Sequence, residues 1–143
     1  MNAERDFTTS PFSLVLRVPP RPHSARSARA ALSAFGNYHG LAPLDVEYLT
    51  FAVGEALANA ILHARTRDDI SISFRLDDVS IIATVSDSGR GLANAPAGPV
   101  SMAANSSETG RGFAIMQRCT DFFNVRSTPG KGTVVTLDRY RRP

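Results

Sequence analysis

Hydrophobic and polar residues alternate along this chain in short runs whose period changes between two and about 3.6 residues. Residues 12–18 form a short apolar run ended by Pro19 and Pro20, which predicts a first strand followed by a break. Residues 22–38 place apolar side chains three and four positions apart, as on one face of a surface helix. The chain therefore begins with a strand and then a helix.

A second helix is predicted over about residues 43–64. Pro43 suits its first position, and Asp45 lies near the positive end of the helix dipole. Its apolar stripe predicts core positions at Val46, Leu49, Val53, Leu57, Ala60 and Ala64. Within residues 48–62 the only charged residue is Glu55. Because this helix is apolar nearly all round, we expect it to be mostly buried, and a buried carboxylate requires a partner.

The remaining pattern predicts strands and one more helix. Residues 70–76 and 79–85 alternate with period two on either side of a turn, which is typical of an antiparallel hairpin. A third helix is predicted over residues 111–123, and residues 124–127 and 133–137 form a closing hairpin. We expect an α+β fold, a two-layer sandwich with a mixed, mostly antiparallel sheet covered on one face by about three helices.

Composition places limits on the class of protein. A chain of 143 residues that is 43% hydrophobic suits one domain over residues 1–143, with a core of about 10–138. The single cysteine, Cys119, forms no intramolecular disulfide, and the first residues contain no long apolar stretch, so a cytoplasmic protein without a membrane segment is expected. The net charge of +3 comes mostly from arginines interspersed with acids, so it does not require a nucleic-acid partner.

Two polar side chains interrupt the apolar second helix. Glu55 and Asn59 are four residues apart, so they lie on one face of the helix and project into the same space. A bound ion, a hydroxyl or a water could satisfy the carboxylate, and so could a nearby arginine in a purely structural ion pair. The helix alone leaves these alternatives open.

A second polar motif follows the predicted hairpin. Asp87 comes at the end of a strand, and Gly89 and Gly91 allow the backbone to bend sharply and to approach a flat ligand closely. A carboxylate in this place can accept a hydrogen bond from an exocyclic amine. The alternative is an ordinary turn, because aspartate and glycine are also favoured there.

A third motif follows a long irregular segment. Residues 93–109 are small, polar and interrupted by proline and glycine, which predicts a flexible lid over about residues 92–110. Thr109 is a candidate N-cap, and Gly110-Arg111-Gly112 opens the third helix. The free amides of a first helical turn suit phosphate oxygens, whereas plain capping accounts poorly for two glycines around an arginine.

Two other nucleotide-binding motifs are excluded by their context. Asn94 occupies the third glycine position of a dinucleotide-binding loop, and Ala95-Pro96 prevents the long helix that should follow. The run Gly130-Lys131-Gly132-Thr133 lacks the spacing of a P-loop and leads into a β-branched strand rather than a helix.

The three motifs together carry a family resemblance. The runs EALANAILHA, DSGRGL and TGRGFAIMQRCTDFF, with the later STPGKGTVVTL, resemble the N, G1 and G2 boxes of the histidine-kinase-type ATPase (Bergerat) fold. The similarity extends over about residues 10–138. Within that superfamily the chain most resembles the bacterial anti-sigma factor serine kinases of partner-switching systems.

This resemblance implies a site for ATP and magnesium. Asn59 would be the side-chain ligand of the ion, and Glu55 the base that orients or deprotonates an incoming hydroxyl. Asp87 would accept the adenine amine, with Thr133 nearby. The other residues implied to contact the nucleotide are Gly89, Gly91, Thr109, Gly110, Arg111 and Gly112.

The resemblance also implies the partners. Such a kinase phosphorylates a serine or threonine of an anti-sigma factor antagonist, alternatively binds an RNA polymerase sigma factor, and acts as a homodimer. Autophosphorylation on histidine is not expected, because no dimerising helical hairpin with an acceptor histidine precedes the motifs. The alternatives are a non-catalytic, ATP-gated binding module and a kinase of another regulatory protein. A nucleic-acid binder is disfavoured, since only the arginine count and the tail Arg139-Tyr140-Arg141-Arg142 support it.

Overall fold

The computed structural model of the protein describes residues 12–63, 68–89 and 108–142. None of the helices in these ranges is both long enough and apolar enough to cross a membrane. In chain order the elements are β1 (Ser13–Val18), α1 (Ser24–His39), α2 (Pro43–His63), β2 (Ile70–Leu76), β3 (Ser80–Asp87), α3 (Glu108–Cys119), β4 (Phe122–Thr128) and β5 (Gly132–Tyr140).

The five strands form one sheet in the order β1-β2-β3-β5-β4. The predicted α+β sandwich is confirmed, but the prediction of a mixed sheet is wrong, because every pairing between these described strands is antiparallel. Helix α3 returns the chain, so that β4 runs in the same direction as β3. The tight β4–β5 hairpin then places β5 between them, and no parallel pair forms.

Helix α2 packs against β3 and β5 between helices α1 and α3. This position explains the stripe of apolar residues at helical spacing, since the side chains turned to the sheet form the centre of the core. Of the predicted core positions, Val46 is only partly buried, and Ala64 lies outside the described residues. The predicted positions confirmed as buried are Leu49, Val53, Leu57 and Ala60.

One face of α2 is exposed, which corrects the prediction of a mostly buried helix. Tyr48, Phe51 and Leu62 on this face are 39%, 54% and 60% exposed. Glu55 is half-buried rather than buried. A helix in the outer layer of a two-layer fold packs only the faces turned toward the sheet and the neighbouring helices, so its outer stripe is left to solvent or to partners.

Helix α3 begins and ends earlier than predicted. It starts at Glu108, so Thr109 lies within the first turn and not at the N-cap. It ends at Cys119, and Phe122 and Phe123 begin strand β4. These two aromatic residues alternate as strand residues do, because Phe123 is buried at 3% exposure whereas Phe122 is 44% exposed.

The helix-covered face of the sheet is apolar in its middle and polar at both ends. At one end, Asp87 of β3 and Ser127 of β4 lie on either side of Thr133 of β5. At the other end, Arg139 of β5 and Asp45 of α2 form a buried ion pair. The first of these ends carries the candidate functional site.

Candidate functional site

Helices α2 and α3 bring together three residues of the predicted site. A Cβ atom added at Gly112 would lie 3.2 Å from Oε1 of Glu55 and 3.6 Å from Nδ2 of Asn59. The two polar side chains of α2 therefore face the backbone of the second turn of α3. Glycine leaves room at this contact, which any larger residue would fill.

One polar atom of this contact has no partner in the part of the chain that the structure describes. Nδ2 of Asn59 is buried and has no hydrogen-bond partner among the described residues. In the same part of the chain, the ion pairs join Asp45 and Asp121 to Arg139 and Arg142, and none of them includes Glu55. Buried polar groups nearly always have partners, so the amide of Asn59 fits a bound ligand, and no described arginine forms an ion pair with Glu55.

The second group of predicted residues lies at the ends of β3 and β5. The backbone N–H of Gly89 donates to Oδ1 of Asp87 at 2.9 Å, and the backbone N–H of Thr133 also donates to this carboxylate. Burial raises the pKa of Asp87 above its ordinary value of 3.8, and the two N–H groups only partly offset this. Asp87 is therefore a half-buried acceptor that is fixed in place by the backbone.

Ser127 joins this group, although its sequence context gave no sign of it. Its hydroxyl lies 2.9 Å from the hydroxyl of Thr133, and the two residues are directly opposite each other in the β4–β5 register. Ser127 thus extends the polar row of Asp87 and Thr133 across three strands. Only the strand register could have identified it.

Gly132 is a further residue that sequence reasoning missed. Its φ of 117° is strained for any side chain, and an added Cβ would collide with the carbonyl oxygen of Asp87. Gly132 therefore allows β5 to pass close behind the Asp87 backbone, and it places Thr133 beside the carboxylate. Gly132 belongs to the run that was excluded as a P-loop, and the structure requires a glycine there because of the close approach to the Asp87 backbone rather than because of a phosphate.

The two groups lie at the same end of the fold. Asp45 near the start of α2 contacts Arg139 near the end of β5, so the helix and the strand run in opposite directions. From Asp45 to Asn59 the helix advances about 21 Å, and from Arg139 back to Thr133 the strand advances about 20 Å. Glu55 and Asn59 are thereby carried to the end of the sheet that bears Asp87.

The structure does not describe all of the predicted site residues. Gly91 and the lid up to residue 107 lie outside the described residues. The backbone of Thr109, Gly110 and Arg111 is in the first turn of α3, but their side chains are not described. The structure therefore places six of the predicted residues, namely Glu55, Asn59, Asp87, Gly89, Gly112 and Thr133.

A polar cavity of about 730 Å³ lies on the opposite, uncovered face of the sheet. Arg17, Ser71, Ser86 and Arg126 line it, each from a different strand. Ser86 precedes Asp87 in β3, and neighbouring strand residues point to opposite faces. Most of this cavity therefore lies across the sheet from the candidate site, but Asp87 and Gly132 at the end of the sheet also line it.

The arrangement is suited to a ligand with an amine-bearing ring at one end and an anionic group at the other. Asp87 can accept from an amine, and the start of α3 offers free backbone N–H groups to an anion. Glu55 and Asn59 lie beside that helix start and could bind a cation or orient a hydroxyl. No three His, Cys, Asp or Glu side chains among the described residues gather into a metal site of their own.

Comparison with known proteins finds relatives of this chain. A family model described as the histidine kinase-like ATPase domain matches residues 18–139. An anti-sigma F factor of Pasteuria penetrans is 35% identical over 122 residues, which cover 77% of this chain and 78% of the relative. An anti-sigma F factor of Geobacillus thermodenitrificans is 32% identical over 136 residues, which cover 87% and 90% of the two chains.

A solved structure shares the fold. The crystal structure of the RsbU and RsbW domains of a Mycobacterium tuberculosis protein superposes with a TM-score of 0.70 at 22% identity. The alignment covers 92% of this chain but only 33% of that one, so this chain corresponds to about a third of the larger protein. At this level of identity the likeness concerns the fold alone.

Proposed function

Because this chain belongs to the histidine kinase-like ATPase domain family, and within it to the group of the anti-sigma F factors, we propose that it is an ATP-dependent anti-sigma factor and protein kinase. In this proposal it binds an RNA polymerase sigma factor and phosphorylates a serine or threonine on an anti-sigma factor antagonist. The observation that carries the proposal is the contact of Glu55 and Asn59 with Gly112 at the start of α3.

ATP is proposed to lie between the two groups of site residues. Its adenine amine donates to Asp87, and its phosphates lie at the first turns of α3 beside Gly112. Asn59 would bind magnesium through its Oδ1, because magnesium takes few protein ligands, all of them oxygens, and binds mainly phosphate oxygens and waters. The buried, unpartnered Nδ2 of the same amide would donate to a phosphate oxygen. Bound there, magnesium would neutralise part of the phosphate charge.

Glu55 is proposed as the base for the acceptor hydroxyl. The hydroxyl oxygen attacks the γ-phosphorus, the bond from that phosphorus to the bridging oxygen breaks, and ADP leaves with the bond's electron pair. The hydroxyl proton passes to a carboxylate oxygen of Glu55. The half-exposed position of Glu55 on α2 suits this role, since an acceptor on another protein must be able to reach it.

Replacing Glu55 tests the kinase. We expect Glu55→Gln to bind ATP as the natural protein does but to transfer phosphate about 10²- to 10⁴-fold more slowly, because it removes only the proton acceptor. Transfer from γ-labelled ATP to a captured antagonist measures this. Ala58→Gln, on an exposed position of the same helix, is the matched control and should keep its activity. Full activity of Glu55→Gln would remove this residue as the base.

The acceptor can be identified with the same label. The protein is incubated with γ-labelled ATP and an extract of the cells that encode it, and labelled chains are identified by mass spectrometry. We expect one small protein labelled on serine or threonine, and none labelled by Glu55→Gln. Label on a histidine of this chain would contradict the proposal.

One observation favours a second candidate, an ATP-gated binding module without phosphate transfer. Tyr48, Phe51 and Leu62 expose a large apolar area on the same helix as Glu55, and such areas commonly bind partner proteins. ATP-dependent capture of a partner by both the natural protein and Glu55→Gln, with no labelled product, would favour this candidate over the kinase.

We also propose a cytoplasmic homodimer, as the family resemblance implies. Strand β1 is at the edge of the sheet, and Leu14 and Val15 on it are 37% and 57% exposed. Exposed apolar edge strands tend to associate with another chain. Analytical ultracentrifugation should therefore give twice the 15.4 kDa mass of the chain.

A further inference from the structure

A buried cluster around Arg139 lies at the end of the sheet opposite to the candidate site. Nε of Arg139 donates to Oδ1 of Asp45 at 2.8 Å, and Nη1 donates to the carbonyl oxygen of Cys119 at 3.1 Å. The guanidinium group also lies 4.6 Å from the ring centroid of Tyr48. One side chain of β5 therefore contacts the first two turns of α2 and the last residue of α3.

Arg142 contacts the same carboxylate in a different way. Its Nη1 lies 3.2 Å from Oδ1 of Asp45, and its backbone N–H donates to Oδ2 at 3.0 Å. The other hydrogen bond of its side chain goes to the carbonyl oxygen of Tyr140. Arg142 thus pairs with Asp45 but makes no hydrogen bond to helix α3 in the described structure. Comparing Arg139 with Arg142 therefore distinguishes the effect of the ion pair with Asp45 from the effect of the link between α2 and α3.

The two ends of α3 are fixed by different contacts. The Arg139 cluster joins the end of α3 to the start of α2, whereas Gly112 meets Glu55 and Asn59 near the other end, so the two helices are antiparallel. Gly112 lies seven residues, or about 10 Å, from Cys119 along the helix. A tilt of α3 at Cys119 would therefore move the first turns of α3 relative to Glu55 and Asn59.

We propose that Arg139 is a positioning residue, which fixes the end of α3 to α2 and thereby sets where the first turns of α3 hold the phosphates of ATP. The inference rests on the proposed function. Stability alone explains this cluster poorly, because a buried ion pair is often no more stabilising than apolar residues of the same size. A role in fixing the placement of α2 relative to α3 explains the cluster better.

The test compares nucleotides that differ in their phosphates. Arg139→Lys keeps the charge but cannot reach both Asp45 and Cys119 with a planar fork of donors. We expect its affinity for ATP and ADP to fall about tenfold, as for the loss of one hydrogen bond to a charged group, while its affinity for AMP stays within about twofold. Arg142→Lys is the matched control and should leave all three affinities unchanged.

The outcomes separate positioning from simple destabilisation. Urea unfolding establishes that each variant is folded under the binding conditions, and Asp45→Asn provides a second variant if Arg139→Lys does not fold. An equal loss for ATP and AMP, or no loss for either, would overturn the inference. Failure of the natural protein to bind ATP at all would instead reject the proposed function.

Discussion

Among single residues, Gly112 decides how closely the two helices of the site approach each other. Its missing side chain leaves the space between the α3 backbone, Glu55 and Asn59, which a Cβ would enter at 3.2 and 3.6 Å. Alanine is otherwise the better helix residue by about 1 kcal/mol. The presence of glycine at this position is therefore better explained by the space that a ligand needs than by the stability of the helix.

Substitution of this glycine should weaken nucleotide binding. We expect Gly112→Ala to lower the affinity for ATP about tenfold or more, because the methyl group displaces Glu55 and Asn59. Gly54→Ala in α2 is the control, since a Cβ there would meet no atom within 4 Å. It should bind ATP normally and be up to about 1 kcal/mol more stable. Equal ATP affinities for the two variants, measured by calorimetry, would contradict this role of Gly112.

Asp87 should determine which base is bound. A carboxylate accepts the amine of adenine and repels the carbonyl oxygen of guanine, so we expect the natural protein to prefer ATP over GTP. Asp87→Asn should lose about tenfold or more in ATP affinity, the equivalent of one hydrogen bond to a charged group, and most of this preference. Competition between the two nucleotides measures it, with Asp78→Asn in the β2–β3 turn as the control. A preference unchanged by Asp87→Asn would show that the base lies elsewhere.

The sequence was informative about residues whose partners are local. The four-residue spacing of Glu55 and Asn59 was enough to place them on one face, and the position of Asp87 at a strand end was correct. Ser127 and Gly132 could not be found in this way. The role of Gly132 depends on the β3–β5 register, which pairs residues distant in sequence, and that of Ser127 on the exact register of the β4–β5 hairpin, which hydrophobic period does not fix.

Among the elements, helix α2 connects the candidate site to the buried ion pair at the opposite end of the fold. Asp45 is 1% exposed, and burial alone would raise its pKa. The hydrogen bond from Arg139, the backbone N–H of Arg142 and the charges of both arginines outweigh this, and the pKa lies below the ordinary value of 3.8. The ionised form is therefore stabilised in the folded protein.

This pKa predicts a pH dependence of stability. Because the folded pKa of Asp45 is lower than the unfolded one, its contribution is complete above the unfolded value and is lost as the pH falls through the folded value, below about pH 4. Asp45→Asn should lower the free energy of unfolding by about 3 kcal/mol at pH 7 and make it less sensitive to acid. Urea unfolding between pH 7 and pH 3 measures both effects. A variant that loses stability with acid as steeply as the natural protein would contradict this assignment.

Whether a segment is a helix or a strand was easier to predict than which of its faces is exposed or where it ends. The strands of the β2–β3 hairpin and helices α1 and α2 follow from hydrophobic period, because period depends only on local geometry. The exposed stripe of α2 did not follow, since composition cannot show which side of an apolar helix lacks a neighbour. The end of α3 was placed too late because Phe122 and Phe123 also fit a helical period.

In the whole molecule, the polar ends of the helix-covered sheet face have separate roles. The Asp87 end joins residues from the sheet with residues from α2 and α3 into one candidate nucleotide site. The Arg139 end fixes the same two helices through buried contacts. The apolar middle of the sheet keeps the two ends about 20 Å apart. We therefore expect nucleotide binding and helix placement to be linked through the core.

Calorimetric titration of the protein with ATP in the presence of magnesium tests the central claim, that this end of the fold binds a purine triphosphate. We expect binding of one ATP per chain, weakened when magnesium is chelated and weakened further by Asn59→Ala, whose circular dichroism should match that of the natural protein. Absence of any heat from ATP or ADP, with the protein shown to be folded, would contradict the account.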